Sequence, residues 1–186
     1  MALQRLAIDG YGQLELNNAA FRRDGRIEAQ CALDATDFAE VPAENGMVFA
    51  VDKATGTVKF WDGTSDYPLA INYSAEHLYD ERKQGLKDFS LTLNDFYPRL
   101  GYLSVGDIYT TNTICYDTAE FTDDDALVTA AENVETAPLY AGLVADCKGA
   151  WKVTATKPTA GPVALVVKST TMPDGQYAVK LHVLAD

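Results

Sequence analysis

A chain of 186 residues, 47% of them apolar, can bury a sizeable core as one domain or two small ones. Its formal net charge of −12 opposes binding to nucleic acid, whose phosphates need a basic surface, and to anionic membranes. No apolar run reaches membrane-spanning length, the N-terminal MALQRLAIDGYGQLELNN lacks the apolar stretch of a signal peptide, and the three cysteines are odd in number and widely spaced, so the expectation is a soluble protein made inside a cell with reduced thiols.

Period-two alternation dominates the chain, and Gly, Asp and Asn punctuate it. LQRLAI and GQLELN flank Asp9–Gly10–Tyr11–Gly12, which predicts a hairpin. In GRIEAQCAL, Ile27, Ala29, Cys31 and Leu33 alternate with Arg26, Glu28, Gln30 and Ala32, as in a strand with one wet face. GMVFAVDKATGTVKFW predicts a second hairpin, with Gly56 supplying the positive φ of its turn. A short strand follows at Tyr67–Ile71.

The polar stretch SAEHLYDERKQGLKDF, residues 74–89, breaks this pattern. Ser74 could cap a helix, Glu76 would sit well in its first turn, and Gly85 would stop it. The apolar stripe of Leu78, Tyr79, Leu86 and Phe89 is thin, so a short surface helix near 74–85 is expected, lying on a sheet with its charges in solvent. Strands resume with FSLTLN and with YPRLGYLSVGDIYTTNTICYD, where Pro98 marks a boundary and Gly106–Tyr116 reads as one long strand. The acidic segment 118–137 is read as a loop that could hold a short strand at Ala126–Thr129. Strands are expected at Pro138–Leu143, Trp151–Thr156, Val163–Lys168 and Tyr177–Leu184, the last two forming a hairpin around Pro173–Asp174–Gly175. The fold expected is mainly β. Residues 1–98 form a hairpin-rich region, and 99–186 a small barrel or sandwich of OB or SH3-like type, unless the two make one continuous domain.

Few residues suggest chemistry. Nucleophilic catalysis needs a base beside the nucleophile, and the only histidines are His77, in the polar stretch, and His182, in KLHVL. Cys31 or Cys115 with His77 would be the candidate pair, but no local catalytic motif surrounds them, and Cys115 and Cys147 are read as small packing hydrophobes. No CxxC or HxxxH pair suggests zinc. Asp123–Asp124–Asp125 offers hard oxygen ligands without the spacing of a calcium loop, and consecutive carboxylates usually mark a solvated loop. Asp9–Gly10–Tyr11–Gly12 lacks the third glycine and helix of a phosphate loop. The reading is therefore non-enzymatic, with no cofactor and no metal.

A contact surface is better supported. The chain has ten tyrosines, and tyrosine combines broad apolar area with a polar tip at little entropic cost. The candidate partner-binding residues are Tyr79, Arg82, Lys83, Tyr97, Arg99 and Tyr102, in the polar stretch and in YPRLGY. The succession ENGMVFAVDKATGTVKF (44–60), YPLAINYSAEHLYDERKQGLKDFSL (67–91), DFYPRLGYLSVGDIYTTNTICYD (95–117) and TTMPDGQYAVKLHVL (170–184) resembles the proteins that decorate or cement the heads of tailed bacteriophages. The resemblance implies a non-catalytic, β-rich virion component, made in the bacterial cytoplasm and added to the capsid exterior. There it would bind the major capsid protein, stabilise the shell and self-associate as a homo-oligomer. A tail or baseplate structural protein, or a glycan-binding adhesin, is the alternative.

Overall fold

A computed structural model of the chain describes residues 2–74 and 86–185. Their strands make two main sheets and a two-stranded one. The larger sheet runs, edge to edge, through β1 (Leu3–Arg5), β12 (Ile114–Asp117), β14 (Trp151–Thr154), β13 (Tyr140–Leu143), β15 (Val163–Thr171), β16 (Tyr177–Ala185), β11 (Ile108–Thr111) and β2 (Leu14–Asn18). The smaller runs through β3 (Ile27–Glu28), β10 (Leu100–Tyr102), β8 (Leu69–Asn72), β6 (Val48–Asp52), β7 (Thr57–Phe60) and β4 (Ala32–Leu33). Strands β5 (Ala43–Glu44) and β9 (Ser90–Leu91) pair with each other. Pairing is antiparallel except at β12–β14 and β4–β7. Two α-helices, α1 (Ala20–Asp24) and α2 (Asp124–Glu132), are present among the described residues.

The chain is mainly β, as its alternation predicts, and its sheets pack on one another without either closing into a barrel. Strands from both sides of residue 98 enter both sheets: β1 and β2 form the two edges of the larger, and β10 joins the smaller. Alternation also explains how the smaller sheet serves two cores, because successive strand side chains point to opposite faces. Val48 and Ile71 join the main core with Trp151, Tyr109 and Tyr116. Their neighbours Phe49, Val51 and Ala70 face a second core, where Phe38, Phe49 and Phe60 meet with ring centroids 4.5–6.0 Å apart.

The β6–β7 and β15–β16 hairpins form as expected, with Gly56 at φ +69° and Gly175 at φ +87° in their turns. Other expectations are corrected. The segments around Asp9–Gly12 are not a hairpin: β1 pairs with β12 and β2 with β11, at opposite edges of the sheet. GRIEAQCAL splits into β3 and β4, which pair with different strands. The long strand expected at 106–116 breaks at Asn112–Thr113. There Asn112 Oδ1 accepts the Gln13 N–H at 2.7 Å, and the Thr113 hydroxyl donates to the Asn45 carbonyl at 2.6 Å. These side chains belong to a buried polar seam. In the same seam the Glu44 carboxylate accepts from the two terminal guanidinium nitrogens of Arg5 and from the Gly12 N–H, and Asn72 Nδ2 donates to the Glu44 carbonyl at 2.9 Å.

The acidic segment read as a loop contains α2. Asp123 is its N-cap, accepting the Ala126 N–H at 2.8 Å, and Asp124 and Asp125 lie at the positive end of the helix dipole. Leu127 and Ala131 give the helix its buried stripe. The expectation of reduced thiols is also corrected: Cys115 and Cys147 form a disulfide, with Cα atoms 6.3 Å apart, and Cys31 is free and buried. Thirty-two residues separate the pair, a distance that local spacing cannot reveal. Of the short helix expected near 74–85, only Ser74 is described, and residues 75–85 lie outside the described residues.

Candidate functional site

Chemistry-bearing side chains are largely occupied by structure. Asp124, one of the three consecutive aspartates, accepts the Tyr116 hydroxyl at 2.6 Å and the Ala7 N–H at 3.0 Å, tying α2 to the larger sheet. Among the described residues no group of three or more His, Cys, Asp or Glu side chains is placed to hold a metal ion. His182 lies on β16 opposite Ile108 and Leu165. His77 lies outside the described residues, and Cys115, its candidate partner, is bonded to Cys147. Burial, with the Glu28 carboxylate nearby, pushes the Cys31 thiol up and away from the thiolate a nucleophile needs.

Of the predicted contact residues, Tyr79, Arg82 and Lys83 lie outside the described residues. Tyr97 and Arg99 share the loop between β9 and β10, whereas Tyr102 ends β10 in a different setting. The Tyr102 hydroxyl donates to Glu28 Oε2 at 3.2 Å, and the Lys53 ammonium sits 3.5 Å from that carboxylate and 5.3 Å from the centre of the Tyr102 ring. Burial alone would raise the Glu28 carboxyl, but the Gln30 N–H, the Tyr102 hydroxyl and Lys53 together hold it below its ordinary value. Tyr102 is thus anchored inside a polar cluster.

The loop 92–99 is built to present side chains. Asp95 Oδ2 accepts the Thr92 N–H at 2.7 Å and the Thr92 hydroxyl at 2.9 Å, closing a tight turn. At its far end the buried Pro98 and two hydrogen bonds fix the chain: Arg99 N–H to the Ser74 hydroxyl at 2.8 Å, and Tyr73 N–H to the Arg99 carbonyl at 3.0 Å. Between these anchors Leu93 is 40% exposed, and Phe96 and Tyr97 are each 53% exposed. One edge of this group touches the second core, since the Phe96 ring lies 6.3 Å from that of the buried Phe89. Three large apolar side chains are thus exposed together on one eight-residue loop whose two ends are fixed by hydrogen bonds.

Tyr97 and Arg99, expected from the sequence as contact residues, share this loop with Leu93 and Phe96, which sequence reasoning did not single out. The signal was available: in FSLTLNDFYP the apolar Leu93, Phe96 and Tyr97 follow the two-residue strand β9 among polar residues, and a strand that stops early leaves such residues in solvent. Comparisons with protein-family models, with curated proteins and with solved structures found no match to this chain.

Proposed function

We propose that this chain is a non-catalytic structural component of a tailed-bacteriophage virion that decorates the outside of the head, docking on the major capsid protein through the loop 92–99. The observation that carries this reading is the exposed trio Leu93, Phe96 and Tyr97 on a loop pinned at both ends. Aromatic side chains dominate the energetics of protein interfaces, and a pre-ordered loop loses little entropy on docking. A capsid lattice repeats its sites many times, so an oligomer of this chain would hold on by avidity even if each loop binds weakly. The net charge of −12 suits a component that must stay soluble and avoid packaged DNA.

The experiment is co-sedimentation of the purified protein with expanded heads that lack it, with unexpanded procapsids as the comparison. Saturable binding to expanded heads is expected. Phe96→Ala should weaken it at least about tenfold with only a small fall in the thermal midpoint, because the side chain is half in solvent and meets the second core only through Phe89. Arg99→Glu, beside the trio, should weaken it as well. Binding to neither particle would overturn the head-decoration reading.

A further inference from the structure

On a different part of the molecule, Trp61 stands between two hollows of about 530 Å³ each, and both hollows share Trp61 and Gly63 in their walls. Each falls within the size range of small-molecule sites, roughly 300–1,000 Å³. The first is lined by Tyr67, Tyr102 and Pro68 together with Arg26, Ser65 and Asp66. The second has Thr156, Thr159 and Pro158 with Lys152 and Lys157, and among the described residues no carboxylate lines it.

The walls are shaped in advance. Asp62 Oδ1 accepts the N–H groups of Thr64 and Ser65, both at 2.8 Å, which closes the 62–65 loop and holds the Asp62 carboxyl down to about 2. The Trp61 indole N–H donates to the Ser65 carbonyl at 3.2 Å. On the opposite wall the backbone of Gly161 lies against the indole so closely that a Cβ there would fall 2.4 Å from Trp61 Cη2, and its φ of +70° favours glycine independently. The indole is therefore clamped between two loops, while Tyr67 is 42% exposed beside it.

We propose that this paired cleft binds a linear oligosaccharide in which neutral sugars alternate with carboxylate-bearing ones. Sugar rings present apolar C–H faces ringed by hydroxyls, and flat aromatic rings flanked by a carboxylate, a guanidinium and alcohols answer both halves of that chemistry. Tyr67 and Trp61 take the ring face, Asp66 the hydroxyls of the neutral unit with help from Arg26, which also donates to the Ser104 hydroxyl at 2.6 Å, and Lys152 and Lys157 the carboxylate of its neighbour. Lys152 is partly engaged, 3.9 Å from Asp117, so Lys157 carries more of that contact. An extended peptide fits less well, because peptide capture by strand addition needs an open sheet edge. The strands at this cleft, β8, β13 and β14, each have partners on both sides. The overall charge of −12 repels a polyanion at long range, which favours acidic units spaced by neutral ones.

The two tryptophans make the test direct, since Trp151 is wholly buried and Trp61 lines the cleft. Hyaluronan hexasaccharide, which alternates uronate with a neutral amino sugar, is titrated against the intrinsic fluorescence of the full chain, with the neutral chitin hexasaccharide as the comparison. A saturable change is expected with hyaluronan. It should weaken roughly tenfold on Tyr67→Ala and severalfold on Lys157→Ala, both at exposed positions, with the circular dichroism spectrum of each variant expected to match that of the wild type. It should persist in Phe96→Ala, which separates this site from the docking loop. No change with hyaluronan, equal binding of the neutral sugar, or a titration unmoved by Tyr67→Ala would each overturn the proposal.

Discussion

Asp52 shows how one carboxylate can fix a turn. It ends β6, and the Thr55 hydroxyl, the Thr55 and Ala54 N–H groups and the Lys59 ammonium, 3.3 Å away, together hold its carboxyl down to about 2. A carboxyl lowered by folding stabilises the native state fully at pH values above its ordinary value, and that contribution fades as pH falls toward 2. Asp52→Asn should therefore lower the thermal midpoint at pH 7 and shrink the difference from wild type between pH 4 and pH 2. A constant difference across that range would show that the charge of Asp52 contributes nothing. Residue-scale features of this kind are readable in DKATG, because the Asx turn and the positive φ at Gly56 depend on neighbours in sequence.

At the scale of elements, two features answer to separate measurements. The cap of α2 is local: Asp123→Ala removes the acceptor for the Ala126 N–H, which should cost about 1 kcal/mol and lower the melting temperature by roughly 2–4 °C. An unchanged melting temperature would mean that packing of Leu127 and Ala131 alone holds the helix. The Cys115–Cys147 bond is not local. It ties β12 to the turn that precedes β14, and for a separation of 32 residues loop-closure entropy alone makes it worth about 3–4 kcal/mol. Cys147→Ser should lose about that much in a denaturant titration, and a reducing agent should take the same amount from the wild type and nothing from the variant. Equal stability of wild type and variant under oxidising conditions would remove the disulfide from the list of stabilising features. Helix α2 had a legible start in Asp123–Asp125, but an acidic run fits a solvated loop as well as a helix N-terminus. What distinguishes the two is the core that receives Leu127 and Ala131, and that core is built by strands far away in sequence.

For the whole molecule, a net charge of −12 is a self-repulsion spread over the surface, which counter-ions screen within about 8–10 Å at physiological salt. Raising sodium chloride from 10 to 150 mM at pH 7 should therefore raise the melting temperature. A fall would mean that the surface ion pairs, such as Lys53–Glu28, outweigh the net repulsion. The β class, the β6–β7 and β15–β16 hairpins and the acidic character were legible in the sequence, because alternation, turn chemistry and charge are properties of short windows. Only the tertiary structure decided that β1 and β2 part to opposite edges, that Cys115 meets Cys147, that α2 forms, and that Trp61 stands between two hollows. Each of those depends on segments far apart in the chain meeting. Their pairing is chosen by the free energy of the complete buried core, which no local pattern encodes.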